Sequence, residues 1–302
     1  MIRCLNCIWH AAAAWMLLNA AAPAAEFEFT TPEPELPPYE EDYAELEGYG
    51  DCAECCEPGG GFVGTLEATF FRYHRADGVN FGSDAGEDVE FGFEISPRIT
   101  LGYAGSDGFG TRLRWWRYEE RGEPIDDNDG FICVDTYTLD WELFDTIHID
   151  CNWSVEISGG LRVNEFEEVL RESDEGDTRE NDFNGFGGLF GLEVKRCLAE
   201  GLFVFARLRG SILMDDKRVY NRDGGMLFQD RLLLDSTQGM LELALGCEYA
   251  DQLESGATLF LRFQGEWQNW FNYSSAFNPE YMFTGPSDVG FGGIAVSFGL
   301  TR

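Results

Sequence analysis

Positive charge is scarce in this sequence of 302 residues, and the scarcity excludes one large class of function. Lys and Arg number 21 against 55 Asp and Glu, so the formal net charge at pH 7 is −34. Nucleic-acid binding depends on cations that neutralise phosphates, and a chain this acidic repels a polyanion. We therefore exclude DNA and RNA as partners.

Long apolar runs are missing beyond residue 25, which excludes a helical membrane protein. A transmembrane helix needs about 20 consecutive apolar residues, and no later segment approaches that length. The first 24 residues contain a shorter apolar tract, which follows the basic Arg3 and ends in the small residues Ala22-Pro23-Ala24. This arrangement is typical of a secretory signal peptide. We expect residues 1–24 to direct export.

Basic residues are absent from residues 25–61, which contain clustered proline and many carboxylates. Such a segment cannot bury enough apolar surface to fold alone, so we predict an acidic, Pro-rich, disordered periplasmic tether. The tether contains Cys52, Cys55 and Cys56. No second CxxC or histidine pair accompanies them, as a metal site would require. In an oxidising compartment disulfides are the better interpretation, and we expect no metal.

From residue 62 onward the dominant pattern has a period of two. In Phe91–Tyr103 (FGFEISPRITLGY) every odd position is apolar, and every even position is small, polar or charged. This alternation predicts a strand with one apolar face. Ten segments share it, near residues 62–73, 90–104, 109–119, 131–145, 152–168, 183–196, 201–214, 231–250, 256–271 and 288–301.

The connections between these segments alternate in length. Long ones, such as HRADGVNFGSDAGED after the first segment, are followed by short ones, such as GSDG after the second. In an antiparallel meander this order puts five long loops at one end, and four short turns with both chain termini at the other. Outer-membrane barrels have this layout. We therefore predict an all-β fold over residues 62–302, a closed antiparallel up-and-down transmembrane β-barrel of about ten strands, located in the cell outer membrane.

A soluble barrel with an apolar interior has the same period and is the alternative. Ten strands enclose more space than the side chains of a small barrel fill, and the loop lengths favour the membrane barrel. Aromatic residues also gather near segment ends, as membrane-interface girdles do. They are Trp115, Trp116, Trp153, Trp267, Trp270 and Tyr273. We therefore expect the apolar faces to contact lipid. Pro97, on such a face, predicts a bulge or a local gap in strand pairing.

The ordered set of segments resembles a known family. The residues that carry the resemblance run from FGFEISPRITLGY and FGTRLRWWRYEE, through VDTYTLDWELFD and WSVEISGGLRVNEFEE, to GCEYADQLESGATLFLRFQGEWQNW and GGIAVSFGLTR. They resemble the Legionella-type major outer membrane proteins, a family of pore-forming barrels. The resemblance covers most of residues 62–302 and implies an outer-membrane β-barrel of the porin kind.

The polar faces would then line the lumen, and they are rich in charge. The predicted lumen-lining residues, candidates for solute selectivity, are Arg98, Arg112, Arg114, Glu142, Glu156, Arg162, Arg207, Arg209, Arg262 and Glu266. Glu94 is expected on the same face. Two interpretations stay open. Paired charges can close a ten-stranded bore as salt bridges, or charged rings can select solutes in a narrow channel.

The loops at the long-loop end are acidic. Their carboxylates are Glu119, Glu120, Glu123, Asp126, Asp127 and Asp129 in one loop, and Glu172, Asp174, Glu175, Asp177 and Glu180 in another. Because Ca²⁺ prefers clustered carboxylate oxygens, divalent cations are candidate partners there. The fixed spacing of a calcium-binding loop is absent, and a solvated, mutually repelling surface is the alternative.

Catalytic residues are not evident. The mature chain has only His74 and His148 as histidine bases. His74, near Asp77 and Asp84 at the long-loop end, is the sole candidate base, and His148 falls in a short turn at the other end. No serine motif, phosphate loop or dinucleotide fingerprint occurs. We expect no enzymatic activity and no cofactor.

The predicted function is therefore porin-like. The barrel would allow passive passage of small hydrophilic solutes or ions through a narrow charged lumen. The alternative is a non-conducting structural or adhesive envelope barrel. In that case the tether cysteines would form disulfides with Cys151 or Cys197, which the layout places at the short-turn end, or with neighbouring chains.

Overall fold

The computed structural model describes residues 60–75, 89–124, 131–150, 152–171, 178–223, 226–275 and 286–302. These residues form eleven strands. They are β1 (Gly61–Arg75), β2 (Val89–Glu90), β3 (Glu94–Ala104), β4 (Phe109–Pro124), β5 (Phe131–His148), β6 (Trp153–Arg171), β7 (Thr178–Ala199), β8 (Leu202–Asp223), β9 (Met226–Gln252), β10 (Thr258–Ser275) and β11 (Pro286–Thr301). Among the described residues, no helix is long and apolar enough to cross a membrane.

Ten of these strands form one closed barrel. Each pairs antiparallel with its neighbours in chain order, and the ring closes where β1 pairs with β11, with Val63 opposite Thr301. The two-residue β2 adds only to the tip of β4. Closure pairs both edges of each barrel strand, which lipid requires, apart from a local gap between β3 and β4. The predicted ten-stranded all-β up-and-down barrel is confirmed.

Alternation along the strands sets the two faces of the wall. Large apolar side chains point outward and are exposed, including Leu66, Leu101, Trp141, Phe190 and Phe263. On β6 this apolar face ends after Val163, where Glu165 and Glu167 follow at the next outward positions. An apolar band with charged residues beyond it is the outer surface expected of a barrel in a bilayer.

The local gap predicted at Pro97 is present. The ladder between β3 and β4 ends with the pair Arg98–Trp116, and pairing resumes only where Glu90 of β2 lies opposite Glu123. The other edge of β3 stays paired with β1, with Pro97 opposite Ala68. Proline has no N–H to donate, so the end of one ladder beside it has a direct cause.

The connection after β8 differs from the prediction of a long loop over residues 215–230. β8 continues to Asp223 and β9 begins at Met226, with Val219 opposite Arg231 in the extension. The extension carries Asp215, Asp216 and Lys217. Because every residue of Asp215–Asp223 except Val219 and Tyr220 is polar or charged, the apolar alternation stops in β8 although the backbone pairing continues.

Apolar side chains fill the half of the barrel interior that is nearer the long-loop end. We call this group, which comes from strands all around the barrel and the segment before β3, the aromatic cluster. Its members are Phe71, Tyr73, Phe91, Trp116, Tyr118, Ile132, Val134, Phe166, Phe183, Leu213, Met240, Trp270, Tyr273, Val289 and Phe291, each at most 5% exposed. The ring of Trp270 lies 4.9 Å from that of Phe291 and 6.1 Å from that of Trp116. Side chains of β4, β10 and β11 therefore meet across the bore.

The girdle prediction was wrong for Trp116, Trp270 and Tyr273, which point inward and are at most 2% exposed. Trp267, three residues before Trp270 on the same strand, points outward and is 45% exposed. Position near a segment end was the basis of the prediction, but parity along the strand decides the face of Trp116 and Trp270. The irregularity between Trp270 and Ser274, where Asn272 has a positive φ, puts Tyr273 on the inward face as well. The inward indoles also find hydrogen-bond acceptors, since Trp270 Nε1 donates to Gln268 Oε1 at 3.0 Å.

Replacing Trp270 by alanine tests the packing of the aromatic cluster. We expect Trp270→Ala to lower the free energy of unfolding by about 3–5 kcal/mol, because it opens a cavity among buried rings. Urea unfolding of the barrel in detergent micelles, followed by heat-modifiable gel mobility, measures the change. Trp267→Ala is the matched control and should lose much less. Equal losses for the two variants would contradict the assignment of faces.

Candidate functional site

The inward charges of neighbouring strands meet in pairs below the aromatic cluster. Arg98 on β3 donates two hydrogen bonds to Glu266 on β10, from Nη1 to Oε2 and from Nη2 to Oε1, both at 2.8 Å. A second carboxylate, Glu67 on β1, also accepts from Arg98 Nη1. The guanidinium carbon lies 5.5 Å from the ring of Trp116 and 5.6 Å from that of Phe71. Arg98 therefore lies at the boundary between the charged layer and the aromatic cluster.

The centre of the bore holds a fully buried network. Arg162 on β6 contacts Asp140 at 2.6 Å through Nε and Glu242 at 2.6 Å through Nη2. Arg209 on β8 contacts the same two carboxylates, at 2.6 and 3.0 Å, and also Glu142. These side chains are at most 7% exposed. Arginine suits this position because its planar fork of donors can engage several carboxylates at once.

Toward the short-turn end the ion pairs become more exposed. Arg112 on β4 contacts Glu142 at 2.8 Å and Glu156 at 2.7 Å, and its side chain is 21% exposed. Arg262 on β10 contacts Glu193 at 3.1 Å and also Glu248. Lys195 Nζ lies 2.9 Å from Glu248 Oε1. Contact with water here lessens the desolvation penalty that the central pairs bear.

A cavity of about 350 Å³ separates the ion pairs from the short-turn end, and we call it the short-turn cavity. Gly105 and Gly108 of the β3–β4 turn line it at one side and Thr301 of β11 at another. Its charged lining includes Arg114 and Arg207. On the opposite side of the ion pairs the aromatic cluster fills the bore. The interior thus has three layers, a polar cavity, a charged layer and an apolar one.

The structure places all ten predicted lumen residues inside the barrel, and each takes part in an ion pair. Glu94 is different, because it is exposed beside the gap between β3 and β4 and belongs to none of the pairs described above. Sequence reasoning missed Glu248, which pairs with both Lys195 and Arg262. Glu248 and inward Glu242 are both at even positions of β9, so the two-residue period could have placed Glu248 on the inward face.

Comparison with known sequences identifies the family. Residues 72–301 match the family described as Legionella pneumophila major outer membrane protein precursor. The chain belongs to this family. As a Legionella-type outer membrane protein it is an outer-membrane β-barrel, and the predicted location in the cell outer membrane is confirmed. No curated protein matches the chain.

Several solved outer-membrane barrels are similar at low sequence identity. The outer membrane protease OmpT from Escherichia coli gives a TM-score of 0.44 at 9% identity, covering 80% of this chain and 95% of that one. A mutant of TodX, a monoaromatic hydrocarbon channel, gives 0.41 at 8%, covering 83% and 92%. The toluene transporter TbuX from Ralstonia pickettii gives 0.35 at 9%, covering 81% and 90%. Similarities this low support no conclusion about the function of this family member.

Much of the predicted disulfide chemistry falls outside the described residues. The predicted signal peptide and all but the last two residues of the predicted tether lie there, with Cys52, Cys55, Cys56 and Cys151. Cys197 is buried near the short-turn end of β7, where its Sγ lies 3.3 Å from the carbonyl oxygen of Ala199. Cross-linking of this outer membrane protein stays a prediction.

The acidic residues at the long-loop end are only partly described. Asp126, Asp127, Asp129, Glu172, Asp174, Glu175 and Asp177 lie outside the described residues. Glu119, Glu120 and Glu123 belong to β4 and Glu180 to β7, so they lie on strands instead of loops. Glu120 is buried and accepts a hydrogen bond from Tyr118. No group of three or more His, Cys, Asp or Glu within the described residues is arranged to hold a metal ion. Cation binding stays a prediction.

The two histidines lie near opposite ends of the barrel. His74 is exposed near the end of β1 toward the long loops, and the predicted partners Asp77 and Asp84 lie outside the described residues. His148 ends β5 and lines the short-turn cavity. The absence of enzymatic activity stays a prediction for this family member.

Removing Arg98 tests how strongly the charged layer holds the barrel together. We expect Arg98→Met to lower the free energy of unfolding by about 3–5 kcal/mol, because Glu67 and Glu266 lose a buried counterion. Arg117→Met is the control, since Arg117 is 49% exposed and pairs with Asp135 on the outer surface, where an ion pair contributes at most about 1 kcal/mol. Urea titration of both variants in micelles measures the difference. A loss for Arg98→Met no larger than that of the control would refute the assigned role.

Proposed function

We propose that this Legionella-type outer membrane protein is a non-conducting barrel that serves as a membrane anchor in the cell envelope. The observation that supports the proposal best is the aromatic cluster. Wall side chains of β1, β4, β6, β10 and β11 meet inside the bore, with ring centroids 4.8–6.1 Å apart. The closure belongs to the barrel wall, so it does not depend on a loop that folds in or out.

Passage of a hydrated solute would be opposed twice along the bore. The apolar layer offers few polar partners to replace hydration, and dry apolar constrictions are a known form of channel closure. The charged layer adds a second barrier, because Arg162 and Arg209 bridge Asp140 and Glu242 at 2.6–3.0 Å. A solute passing between these groups would separate buried, mutually neutralised charges.

The topology supports the anchoring role. β1 begins at Gly61, where Phe62 and Arg302 exchange backbone hydrogen bonds at the short-turn end. The acidic segment that precedes β1 therefore joins the barrel at the end expected to face the periplasm. We propose that the barrel holds this segment, with its three cysteines, at the inner surface of the outer membrane.

A narrow pore is the second candidate, and the short-turn cavity favours it. Its volume of about 350 Å³ and its charged lining match the vestibule of a channel for small hydrophilic solutes. The resemblance to pore-forming barrels points the same way. Conduction would require the aromatic cluster to move aside, with Arg207 and Arg209 then facing the path.

Single-channel recording distinguishes the two candidates. Residues 25–302, without the predicted signal peptide, are refolded into planar lipid bilayers, and gel heat-modifiability shows that the protein has folded. We expect wild-type protein to be silent, and the double variant Trp116→Ala/Trp270→Ala to give discrete current steps, because it removes two indoles from the closed section. Trp267→Ala, which alters only the outer surface, should stay silent.

The opposite result is equally clear. Discrete steps from wild-type protein that change in size or ion selectivity in Arg207→Ala or Arg209→Ala would reject the anchor and establish the pore. Silence of the double variant, with the protein shown to be inserted, would mean that the charged layer is sufficient to close the bore without the two indoles.

A further inference from the structure

Arg114 differs from the buried Arg98, Arg162 and Arg209 of the charged layer because it has no carboxylate within hydrogen-bond distance. Its side chain is 9% exposed and lines the short-turn cavity. Its one ionic contact with a described residue joins Nη1 to Glu242 Oε2 at 3.6 Å, which is beyond hydrogen-bond distance. No residue within the described ranges accepts a hydrogen bond from it. An arginine has five N–H donors, so Arg114 keeps a largely unused fork beside an open space.

Arg207 lines the same cavity and is also weakly engaged. Its Nη2 lies 3.3 Å from Gln264 Oε1 and 3.4 Å from Glu266 Oε2, and its Nη1 lies 3.9 Å from Glu193. Both carboxylates have closer arginine partners, since Glu266 binds Arg98 at 2.8 Å and Glu193 binds Arg262 at 3.1 Å. Arg207 is therefore the main partner of neither carboxylate, and its guanidinium can bind another acceptor.

The lining of the cavity is positive although the protein is strongly negative. Among the described residues, seven cationic side chains line it against four carboxylates, Glu67, Glu156, Glu193 and Glu248, in a chain of net charge −34. The carboxylates that balance the remaining arginines, among them Asp140 and Glu242, lie behind the lining and are engaged there by Arg162 and Arg209. An anion inside the cavity thus meets excess positive charge.

We propose that the short-turn cavity binds a small oxyanion of the carboxylate or phosphate class, which enters from the short-turn end and accepts hydrogen bonds from Arg114 and Arg207. Guanidinium groups match both oxyanions in geometry and charge. A volume of about 350 Å³ limits the ligand to a small molecule, and the four lining carboxylates disfavour a polyanion. The inference does not depend on whether the barrel conducts.

Two substitutions remove the proposed contacts without leaving a buried carboxylate unpaired. In Arg114→Gln, Glu242 keeps Arg162 at 2.6 Å and Arg209 at 3.0 Å. In Arg207→Gln, Glu266 keeps Arg98 at 2.8 Å. Both variants should therefore fold. The matched control is Arg117→Gln, which makes the same change on β4 but on the outer surface, where Arg117 is 49% exposed.

The test is calorimetric titration of the mature protein in zwitterionic micelles at constant ionic strength. Inorganic phosphate and succinate are titrated separately, with chloride as the competing background anion. We expect saturable binding to wild type, weakened at least about tenfold in Arg114→Gln and in Arg207→Gln, as loss of a charge-assisted hydrogen bond implies. Arg117→Gln should stay within about twofold of wild type. The tighter of the two probes assigns the oxyanion class.

The proposal is overturned if neither probe binds wild type saturably, or if both cavity variants bind as wild type does. It is also overturned if Arg117→Gln weakens binding as much as they do, because the effect would then be one of overall charge. Should one cavity variant fail the gel test for folding, the other decides alone, since the two arginines lie on different strands, β4 and β8.

Discussion

Charge pairing inside a narrow bore is the constraint on which the rest of this structure depends. Among the described residues, eight cations and eight carboxylates of the charged layer form two connected sets of ion pairs, one around Glu193 and Glu266 and one around Glu142 and Glu242, each with four cations and four carboxylates. The chain as a whole carries a net charge of −34, yet this layer is neutral by count. An uncompensated charge in the interior is strongly destabilising. The surplus carboxylates therefore lie elsewhere in the chain.

The same alternation that exposes apolar residues to lipid fills the interior in layers. Toward the long-loop end the inward positions hold aromatic side chains, which pack in edge-on and tilted contacts. In the middle they hold arginine and carboxylate side chains. Toward the short turns the inward side chains do not fill the bore, which leaves the cavity. Side chains of small barrels fill the interior by themselves. Here a ten-stranded barrel achieves closure because its inward residues are long or aromatic.

The sequence predicted the parts of this molecule that depend on local pattern. The period of two predicted the ten barrel strands and the inward position of residues such as Arg162 and Glu266. The alternating loop lengths predicted the up-and-down order of the strands around the barrel. Pro97 marked the gap beside β3 because its chemistry is local. Two features depended on information outside the pattern. Paired backbone continues in the polar extension of β8, and the inward aromatic residues form one cluster across the bore.

Partner choice among the charges was also beyond sequence reasoning. Arg98 pairs with Glu266, 168 residues away, and Arg209 with Asp140, 69 residues away. Closure of the barrel, stagger of the strands and reach of each side chain together decide such pairs. Arg114 and Arg207 look equivalent to Arg162 in the sequence. The structure distinguishes them, because their neighbours' carboxylates are already engaged.

The central claim, that inward side chains close the bore, is tested most directly by osmotic swelling of liposomes that contain the folded wild-type protein. Arabinose and glycine serve as small uncharged and zwitterionic solutes. The account predicts swelling rates equal to those of protein-free liposomes at every protein-to-lipid ratio. A rate that rises in proportion to the amount of folded protein would contradict it and show that the interior admits solutes.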